Sequence, residues 1–419
     1  MITAYGAIVG LCIAIILILR KINPTYAMII GAVVGGLVGG AGLTNTVKFM
    51  IVGTQGIVSA IIRIITAGIL AGTLIESGAA KRIADSIIAS VGTKRSLIAM
   101  MLATWILTAV GVFGDVAIIT VAPVAILMAK QSGYRKLGVL MAMIGGVKAG
   151  NVMSPNPNAI AASEGFNVPL TSVMAIGIIP TITALIATGF IAYYLRNKGT
   201  DFENVEMSAG VDEELPTLAA SISGPLVTIA LLLLRPLLGV TVDPLIALPL
   251  GGIAGMLAMR KAKYIGHYFD VGIAKMSGVA MLLIGTGTLA GIISNSALKD
   301  VITAAIESVG LPGFMLAPIA GTLMGAATAS STAGTTLGSQ IFGPTVVAGG
   351  TSALAAAAMT HCGSFVFDGL PHGSFFHVSA GTIGMKISER LKLIFWESLN
   401  GVAMVLVSVF FVGILKIAG

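Results

Sequence analysis

Long apolar runs dominate this chain, and its polar residues collect in the short gaps between them. Runs near residues 4–19, 25–42, 55–76 and 170–195 have about the length, 17 to 25 residues, of helices that cross a bilayer. The alternation of polar and apolar residues that indicates half-buried strands is absent. The pattern therefore predicts an all-α, polytopic membrane protein.

Composition supports this prediction and excludes a soluble fold. Of the 419 residues, 56% are hydrophobic and only 10% are charged, whereas soluble domains carry about 25% charged residues. The mean hydropathy is +1.01. The sequence pI of 9.4 does not indicate nucleic-acid binding, because the basic residues are scattered between apolar runs.

One apolar segment, residues 97–128, is too long for a single crossing and has Phe113-Gly114-Asp115 at its centre. Basic residues flank it on both sides, namely Lys94, Arg95, Lys130, Arg135 and Lys136. Because basic residues favour the cytoplasmic side of a membrane, both ends of the segment are expected there. The segment is therefore predicted to turn back inside the membrane as a re-entrant hairpin.

The next apolar run, residues 137–165, is interrupted by the sequence GNVMSPNPNAI at 150–160. Pro155 and Pro157 each lack a backbone donor and stop an α-helix. Backbone that is freed from helical hydrogen bonding cannot face lipid, so it must line a polar cavity or the protein interior. We expect a broken helix whose unwound centre borders a binding site.

The second half of the chain repeats these features in the same order. Residues 68–92 resemble residues 287–310, and a second overlong segment, 313–347, has the small polar centre ATASSTAGTT. A second interruption follows at CGSFVFDGLPHGSFF, residues 362–376. The pattern predicts two repeats, residues 1–195 and 218–419, which a polar cytoplasmic linker at 196–217 joins.

Charge predicts how the two repeats are oriented. Each repeat is expected to contain five crossings, one hairpin and one broken helix, and an odd number of crossings inverts the second repeat relative to the first. An outside N-terminus places most of the 24 lysines and arginines on the cytoplasmic side. Interruptions at corresponding places of inverted repeats indicate one binding site at the bilayer midplane. We therefore expect residues 150–160 and 362–376 to lie close together.

Polar side chains in and near the interruptions are the candidate substrate ligands. Half-helix N-termini suit a carboxylate, because they expose unpaired N–H groups and a partial positive charge. Hydroxyl and amide groups also accept from or donate to substrate hydroxyls. For the hydroxyls of the second hairpin the alternative is tight helix packing. The predicted ligands are Ser154, Asn156, Asn158, Ser331, Thr335, Thr336, Ser364, Asp368 and His372.

Two charged residues have separate candidate roles. Asp115 is the candidate proton-coupling residue, because an ionised Asp at the bilayer centre costs roughly 3 kcal/mol and protonation removes this cost. Alternatively, its carboxylate only caps the following half-helix through the N–H groups of Ala117 or Ile118. Lys148 is expected to neutralise a substrate carboxylate, to pair with Asp115, or to extend its ammonium group to the membrane surface. Arg63 and Arg235 are expected to hold helix or subunit contacts.

The hairpin and broken-helix motifs resemble those of the ion transporter superfamily. FGDVAIITVAPVAI (113–126) and AGTTLGSQIFGPTV (333–346) are similar to its hairpin-tip motifs, and IGGVKAGNVMSPN (144–156) is similar to its broken-helix motif. Within this superfamily, LIESGAAKRIADSII (74–88) and DGLPHGSFF (368–376) most resemble the gluconate permease family. The resemblance implies a dimeric, elevator-type secondary transporter, in which a transport domain moves against a scaffold.

The hairpin tips differ from those of the sodium-coupled dicarboxylate branch. Where that branch carries Ser-Asn-Thr, this chain has Phe113-Gly114-Asp115 and Gly334-Thr335-Thr336. The difference argues against sodium sites of that type. The resemblance instead implies proton coupling through an acidic residue near Asp115.

The sequence thus predicts a proton-coupled symporter of gluconate or a related sugar acid in the bacterial inner membrane. Its expected partners are the organic anion, protons, lipid and a second copy of the chain, without nucleic acid, cofactor or metal. The alternative is a sodium-coupled dicarboxylate or citrate transporter. An intramembrane metal enzyme using His361, Asp368, His372 and His377 is disfavoured, because their spacing matches no metal-binding motif.

Overall fold

The computed structural model describes residues 2–20, 22–92, 95–202, 215–298, 312–371 and 373–417, together with residues 301, 304, 308 and 310. In these ranges the first half of the chain forms α1 (Ala4–Leu19), α2 (Pro24–Val38), α3 (Gly42–Gln55), α4 (Val58–Glu76), α5 (Ala79–Val91), α6 (Ser96–Ala109), α7 (Gly114–Ser132), α8 (Lys136–Met153), α9 (Pro157–Gly165), α10 (Leu170–Ile176) and α11 (Ile178–Leu195). The second half forms α12 (Leu218–Leu238), α13 (Pro244–Ala258), α14 (Ile265–Ser294), α15 (Leu316–Thr328), α16 (Ser331–Leu337), α17 (Gly343–Ala348), α18 (Ala353–Ser364), α19 (Ser374–Thr382) and α20 (Ile387–Ser408). Two π-helical segments, Gly338–Phe342 and Val409–Ile414, extend α16 and α20.

Several helices begin where a capping side chain precedes a proline. The side chains of Asn23, Asn156 and Asp243 accept hydrogen bonds from backbone N–H groups at the starts of α2, α9 and α13. A proline is the first residue of each of these helices. Such caps satisfy donors that have no partner within the helix, and proline has no donor to leave unsatisfied.

Two helical hairpins occupy the predicted positions. The first joins α6 to α7 through residues 110–113, and the second joins α15 to α16 at Ala329, which has φ +46°. Helix α6 has 14 residues and α15 has 13. Their lengths of about 20 Å fall short of the roughly 30 Å hydrocarbon core of a bilayer. Neither of these arms is long enough to cross a bilayer alone.

Both predicted helix interruptions are present. Helix α8 ends at Met153 and α9 begins at Pro157, so residues 154–156 are not helical. Helix α18 ends at Ser364 and α19 begins at Ser374. In both halves of the chain a hairpin is therefore followed by a broken helix and then by a long final helix, α11 or α20.

The helices pack in two groups, and each group draws from both halves of the chain. The α4 group contains α1–α4 and α12–α14, and the α8 group contains α6–α11 and α15–α20. Helix α5 contacts both groups. Glycines permit close packing within each group: a Cβ on Gly150 would collide with Thr108 of α6, and a Cβ on Gly72 would collide with Tyr268 of α14.

Helix α3 is not predicted by the hydropathy pattern, because Asn45, Lys48 and Gln55 interrupt its apolar residues. It forms on the surface of the α4 group and packs closely on α14. A Cβ on Gly53 would collide with the backbone of Gly287 and Gly291. Packing against α14 therefore stabilises α3, although the hydropathy of this segment alone does not predict a helix.

Seven helical stretches in the described part of the chain are long and apolar enough to cross a membrane: Val58–Glu76, Gly114–Ser132, Lys136–Gly165, Leu170–Leu195, Leu218–Leu238, Ala262–Ser294 and Ile387–Ile414. Shorter apolar helices accompany them, among them α1, α2, α6 and α13. The chain is an all-α, multi-pass membrane protein.

Candidate functional site

A cavity of about 290 Å³ lies where the two hairpin turns meet the two broken helices. Both interruptions contribute to its wall, so the structure confirms that residues 150–160 lie close to the second interruption. Phe113 and Phe375 are aromatic members of the lining. Its polar and charged members are Asp115, Lys148, Asn151, Asn156, Asn158, Lys275, Ser330, Ser331, Thr332, Asp368 and Ser374.

Lys148 and Asp368 form an ion pair in the wall of this cavity. The distance from Lys148 Nζ to Asp368 Oδ1 is 2.7 Å, and the two side chains are only 1% and 9% exposed. Lys148 Nζ also donates to the Phe365 carbonyl oxygen at 2.7 Å. The expectations that Lys148 pairs with Asp115 or extends to the membrane surface are therefore wrong. The carboxylate that reaches Lys148 comes from the other half of the chain.

A second buried ion pair lies behind the first. Arg390 and Glu397 of α20 contact each other through Nη1 and Oε1, with side-chain exposures of 0% and 2%. Arg390 Nε also donates to Ser379 Oγ at 3.1 Å. Lys148 connects the two pairs, because its Nζ lies 3.4 Å from the Glu397 carbonyl oxygen. Lys148 and Arg390 thus each have a carboxylate partner, which avoids the cost of several kcal/mol for an isolated buried charge.

Asn156 shapes the first interruption. Its Oδ1 accepts from the backbone N–H groups of Asn158 at 2.9 Å and Ala159 at 3.1 Å, which starts α9. Its Nδ2 donates to Ser154 Oγ at 2.8 Å and to the Asn151 carbonyl oxygen at 2.8 Å, which closes the end of α8. One amide side chain therefore replaces helical hydrogen bonds on both sides of the break.

Asn158 connects the first broken helix to the second hairpin. Its Nδ2 donates to Ser331 Oγ at 3.1 Å, and its Oδ1 accepts from the hydroxyl of Thr332. All three residues line the cavity. Polar groups from both halves of the chain therefore share one hydrogen-bonded surface facing the cavity.

Asp115 lies in the first turn of α7 and borders the cavity. Its side chain is half-buried, and its Oδ1 accepts from the N–H of Val116 at 2.9 Å. This bond differs from the predicted cap on Ala117 or Ile118, because the N–H of Ala117 donates to the Phe113 carbonyl oxygen. Asp115 makes no ion pair with any residue that the structure describes.

Four predicted ligands lie behind the cavity wall and do not line it. Ser154 is fully buried and accepts from Asn156. Thr335 Oγ1 lies 2.8 Å from Ser364 Oγ, and Thr336 Oγ1 donates to the Thr332 carbonyl oxygen at 2.7 Å. The contact between Thr335 and Ser364 holds the second hairpin against α18. The remaining predicted ligand, His372, lies outside the described residues.

The sequence reasoning missed several cavity residues. Four of them are close in sequence to predicted ligands, in the broken helices or the second hairpin: Asn151, Ser330, Thr332 and Ser374. The sequence prediction would have included them if it had taken in every polar residue of these segments. Lys275 is different, because it lies within the long helix α14 and far from any break. In the sequence it follows the basic residues at 260–263, which hid its place in a helix long enough to cross a membrane.

A second cavity, of about 260 Å³, lies between the two helix groups. Arg63 of α4 contacts Glu164 of α9 at 2.7 Å and Asp243, before α13, at 2.6 Å. The hydrogen bonds from Arg63 lower the pKa of the Asp243 carboxyl below its usual value. Arg63 therefore holds helix contacts, as predicted. Arg235 also lines this cavity.

Comparison with known proteins places this architecture among transporters. A family model described as GntP family permease matches residues 2–248, and a model of the Na+-H+ antiporter family matches residues 219–309. An uncharacterized transporter of Haemophilus influenzae is 53% identical over 99% of both chains. A gluconate permease of Pseudomonas aeruginosa is 25% identical over 97% of this chain and 95% of its own.

The fold also matches a solved structure. The YdaH transporter of Alcanivorax borkumensis superposes with a TM-score of 0.65 over 90% of each chain, at 16% sequence identity. The GntP family model matches more than half of the chain. The multi-pass helical fold and the cavity between two broken helices agree with that match. The chain is a transporter, not an enzyme, and belongs to the GntP family of permeases.

Proposed function

We propose that this protein is a secondary active transporter that imports a small hydroxylated organic anion, of the gluconate or sugar-acid type, together with protons. The observation that carries the proposal is the cavity in which both broken helices and both hairpin turns meet. Unwound backbone is tolerated at membrane depth only where it lines protein interior or a polar cavity, so such a meeting point is suited to a substrate.

The chemistry of the lining favours a ligand with many hydroxyl groups. Asn151, Asn158, Ser331, Thr332 and Ser374 supply neutral donors and acceptors. Lys148 is already paired with Asp368, so that this pair contributes little net charge. A wall in which neutral polar groups outnumber charged ones suits a polyol chain with one carboxylate better than a di- or tricarboxylate. The name of the Pseudomonas relative, a gluconate permease, supports the same substrate class.

Asp115 is the proposed proton carrier. It borders the cavity at the first hairpin turn and has no cationic partner among the described residues. Ionised Asp at the bilayer centre costs roughly 3 kcal/mol, and protonation removes this cost. Protonation would thus favour passage of the loaded cavity through the membrane. The competing role as a simple cap is weakened, because Oδ1 accepts only from the adjacent Val116 N–H.

Transport is proposed to follow from movement of the α8 group against the α4 group. The hairpin and broken helix that follow each other in the same order in both halves, and the distribution of basic residues between the apolar runs, support two inverted repeats. The cavity residues belong to the α8 group except for Lys275 and Val279 of α14. Movement of the α8 group would carry the site from one face of the membrane to the other. We further propose a homodimer in the bacterial inner membrane.

A sodium-coupled carrier of dicarboxylates or citrate is the second candidate. The match of residues 219–309 to the Na+-H+ antiporter family is the observation that favours sodium. The hairpin tips Phe113-Gly114-Asp115 and Gly334-Thr335-Thr336 argue against it, since they lack the Ser-Asn-Thr of that branch.

Counterflow in proteoliposomes tests the proposal. Purified protein is reconstituted with unlabelled gluconate, idonate, malate or citrate inside, and uptake of the labelled anion is followed. We expect exchange of sugar acids and accumulation under an imposed pH gradient, inside alkaline. Accumulation that requires a sodium gradient, or exchange confined to malate and citrate, would contradict the proposal.

A further inference from the structure

Lys275 lies in a helical stretch, Ala262–Ser294, that is long and apolar enough to cross a membrane. It is ten residues beyond Ile265, the first residue of α14, which places it about 15 Å along the helix axis. Since α14 has 30 residues, Lys275 lies well inside the helix and not at its end. A charged lysine costs about 3 kcal/mol at the centre of a membrane-spanning helix, and charged residues in such helices face a polar cavity or a partner.

The side chain of Lys275 meets the central cavity. Lys275 and Val279 both line it, and their spacing of four residues places them on one face of α14. Their neighbours Gly272 and Met276 are buried against α4. Helix α14 therefore packs with one face and presents Lys275 to the cavity with another.

Lys275 differs from the other cation of the cavity. Lys148 is paired with Asp368, and behind it Arg390 is paired with Glu397. Lys275 makes no ion pair with the part of the chain described here, and its side chain is exposed. Among the described residues that line the cavity, Lys275 is therefore the cation available to a ligand.

We propose that Lys275 binds the carboxylate of the transported anion and thereby sets the proton requirement of transport. The inference rests on the proposed function and adds the residue that recognises the anionic group. Lys148 and Asp368 cancel each other, which leaves Asp115 and Lys275 as the remaining charges among the described residues of the lining.

The charges then balance in two states of the cavity. In the empty cavity, ionised Asp115 balances Lys275. In the loaded cavity, the substrate carboxylate balances Lys275, and Asp115 carries a proton. An anion bound without the proton leaves one excess negative charge, which opposes movement through the membrane. One monocarboxylate is therefore carried with one proton, and transport is electroneutral.

Equilibrium binding to the purified full chain tests the role of Lys275. Gluconate, lactate, malate and citrate are titrated individually, and glucitol serves as the uncharged counterpart of gluconate. We expect Lys275→Gln to weaken the binding of the preferred anion roughly tenfold or more, because a charge-assisted contact is lost. Glucitol binding should change little. Lys275→Arg should keep most of the anion affinity, and Lys48→Gln is the control for loss of a lysine outside the cavity.

The outcomes separate this inference from the proposed function. Unchanged anion affinity in Lys275→Gln overturns the inference, even when sugar acids are transported. Equal weakening of gluconate and glucitol also overturns it, because that result indicates a structural role. Absence of binding by all four anions overturns both proposals. Preference for malate or citrate with a strong Lys275→Gln effect sustains the inference and rejects the sugar-acid assignment.

Discussion

Asn158 donates a hydrogen bond to Ser331 at 3.1 Å, so an amide of the first broken helix contacts a hydroxyl of the second hairpin across the cavity wall. The two residues come from opposite halves of the chain. The cavity wall is therefore formed by residues from both halves of the chain.

We expect Asn158→Ala and Ser331→Ala each to raise the KM for the transported sugar acid several-fold, because each removes a hydrogen-bonding group worth about 1 kcal/mol. Initial rates of uptake measure the effect. Since the two side chains bond each other, the double variant should lose less than the sum of the single losses. Strict additivity would show that the residues act separately.

Asp115→Asn should abolish proton-driven accumulation and preserve part of the exchange. The amide cannot bind or release the proton, although it can occupy the same place in the first turn of α7. Accumulation under a pH gradient and counterflow are measured on the same vesicles. Asp270→Asn, an exposed position of α14 outside the cavity, is the matched control. Full gradient-driven uptake by Asp115→Asn would remove this residue from the mechanism.

Removal of one partner of the Lys148–Asp368 pair should destabilise the protein strongly. The pair is buried, with a separation of 2.7 Å, and an unpaired buried charge typically costs about 3–5 kcal/mol. Lys148→Met should therefore lower the unfolding temperature, and adding Asp368→Leu should recover much of the loss. Circular dichroism in detergent measures the unfolding. Single variants as stable as the unaltered protein would contradict the assignment of this pair as a structural anchor.

The contact between Ser59 and Glu164 provides a test of movement between the helix groups. Ser59 of α4 donates to Glu164 of α9 at 2.5 Å. In a background of Cys12→Ser and Cys362→Ala, a short bis-methanethiosulfonate cross-linker joining Ser59→Cys to Glu164→Cys should stop uptake, and reduction should restore it. Each single variant treated with the same reagent is the control. Undiminished uptake by the cross-linked protein would show that this contact persists throughout transport.

The two hairpins and the two broken helices could be predicted from the sequence, because the residues that produce each of them lie within its own segment. Prolines and polar residues at 154–158 and 365–374 mark both interruptions, and the overlong apolar segments mark both hairpins. The pairing of the buried charges could not be predicted, since the residues around Lys148 in the sequence do not show whether Asp115 or Asp368 is its partner. Hydroxyls that pack helices, such as Thr335, likewise look the same in sequence as hydroxyls that line a cavity.

Two further features depended on tertiary structure. Helix α3 is held by close contact of Gly53 with α14, which the local hydropathy does not reveal. Lys275 resembles a loop residue in sequence, because other lysines and arginines precede it at 260–263. Its place well inside a helix of 30 residues shows that it does not belong to a loop.

Accessibility of a single cysteine at Ser331 tests the central claim, that the cavity between the broken helices is a substrate site reached alternately from both sides. Ser331→Cys is prepared in the background without Cys12 and Cys362, and membrane-impermeant thiol reagents are applied from either side of oriented vesicles. The account predicts modification from both sides, and saturating sugar acid should slow both reactions. Modification from one side only, or rates that are indifferent to every transported anion, would contradict it.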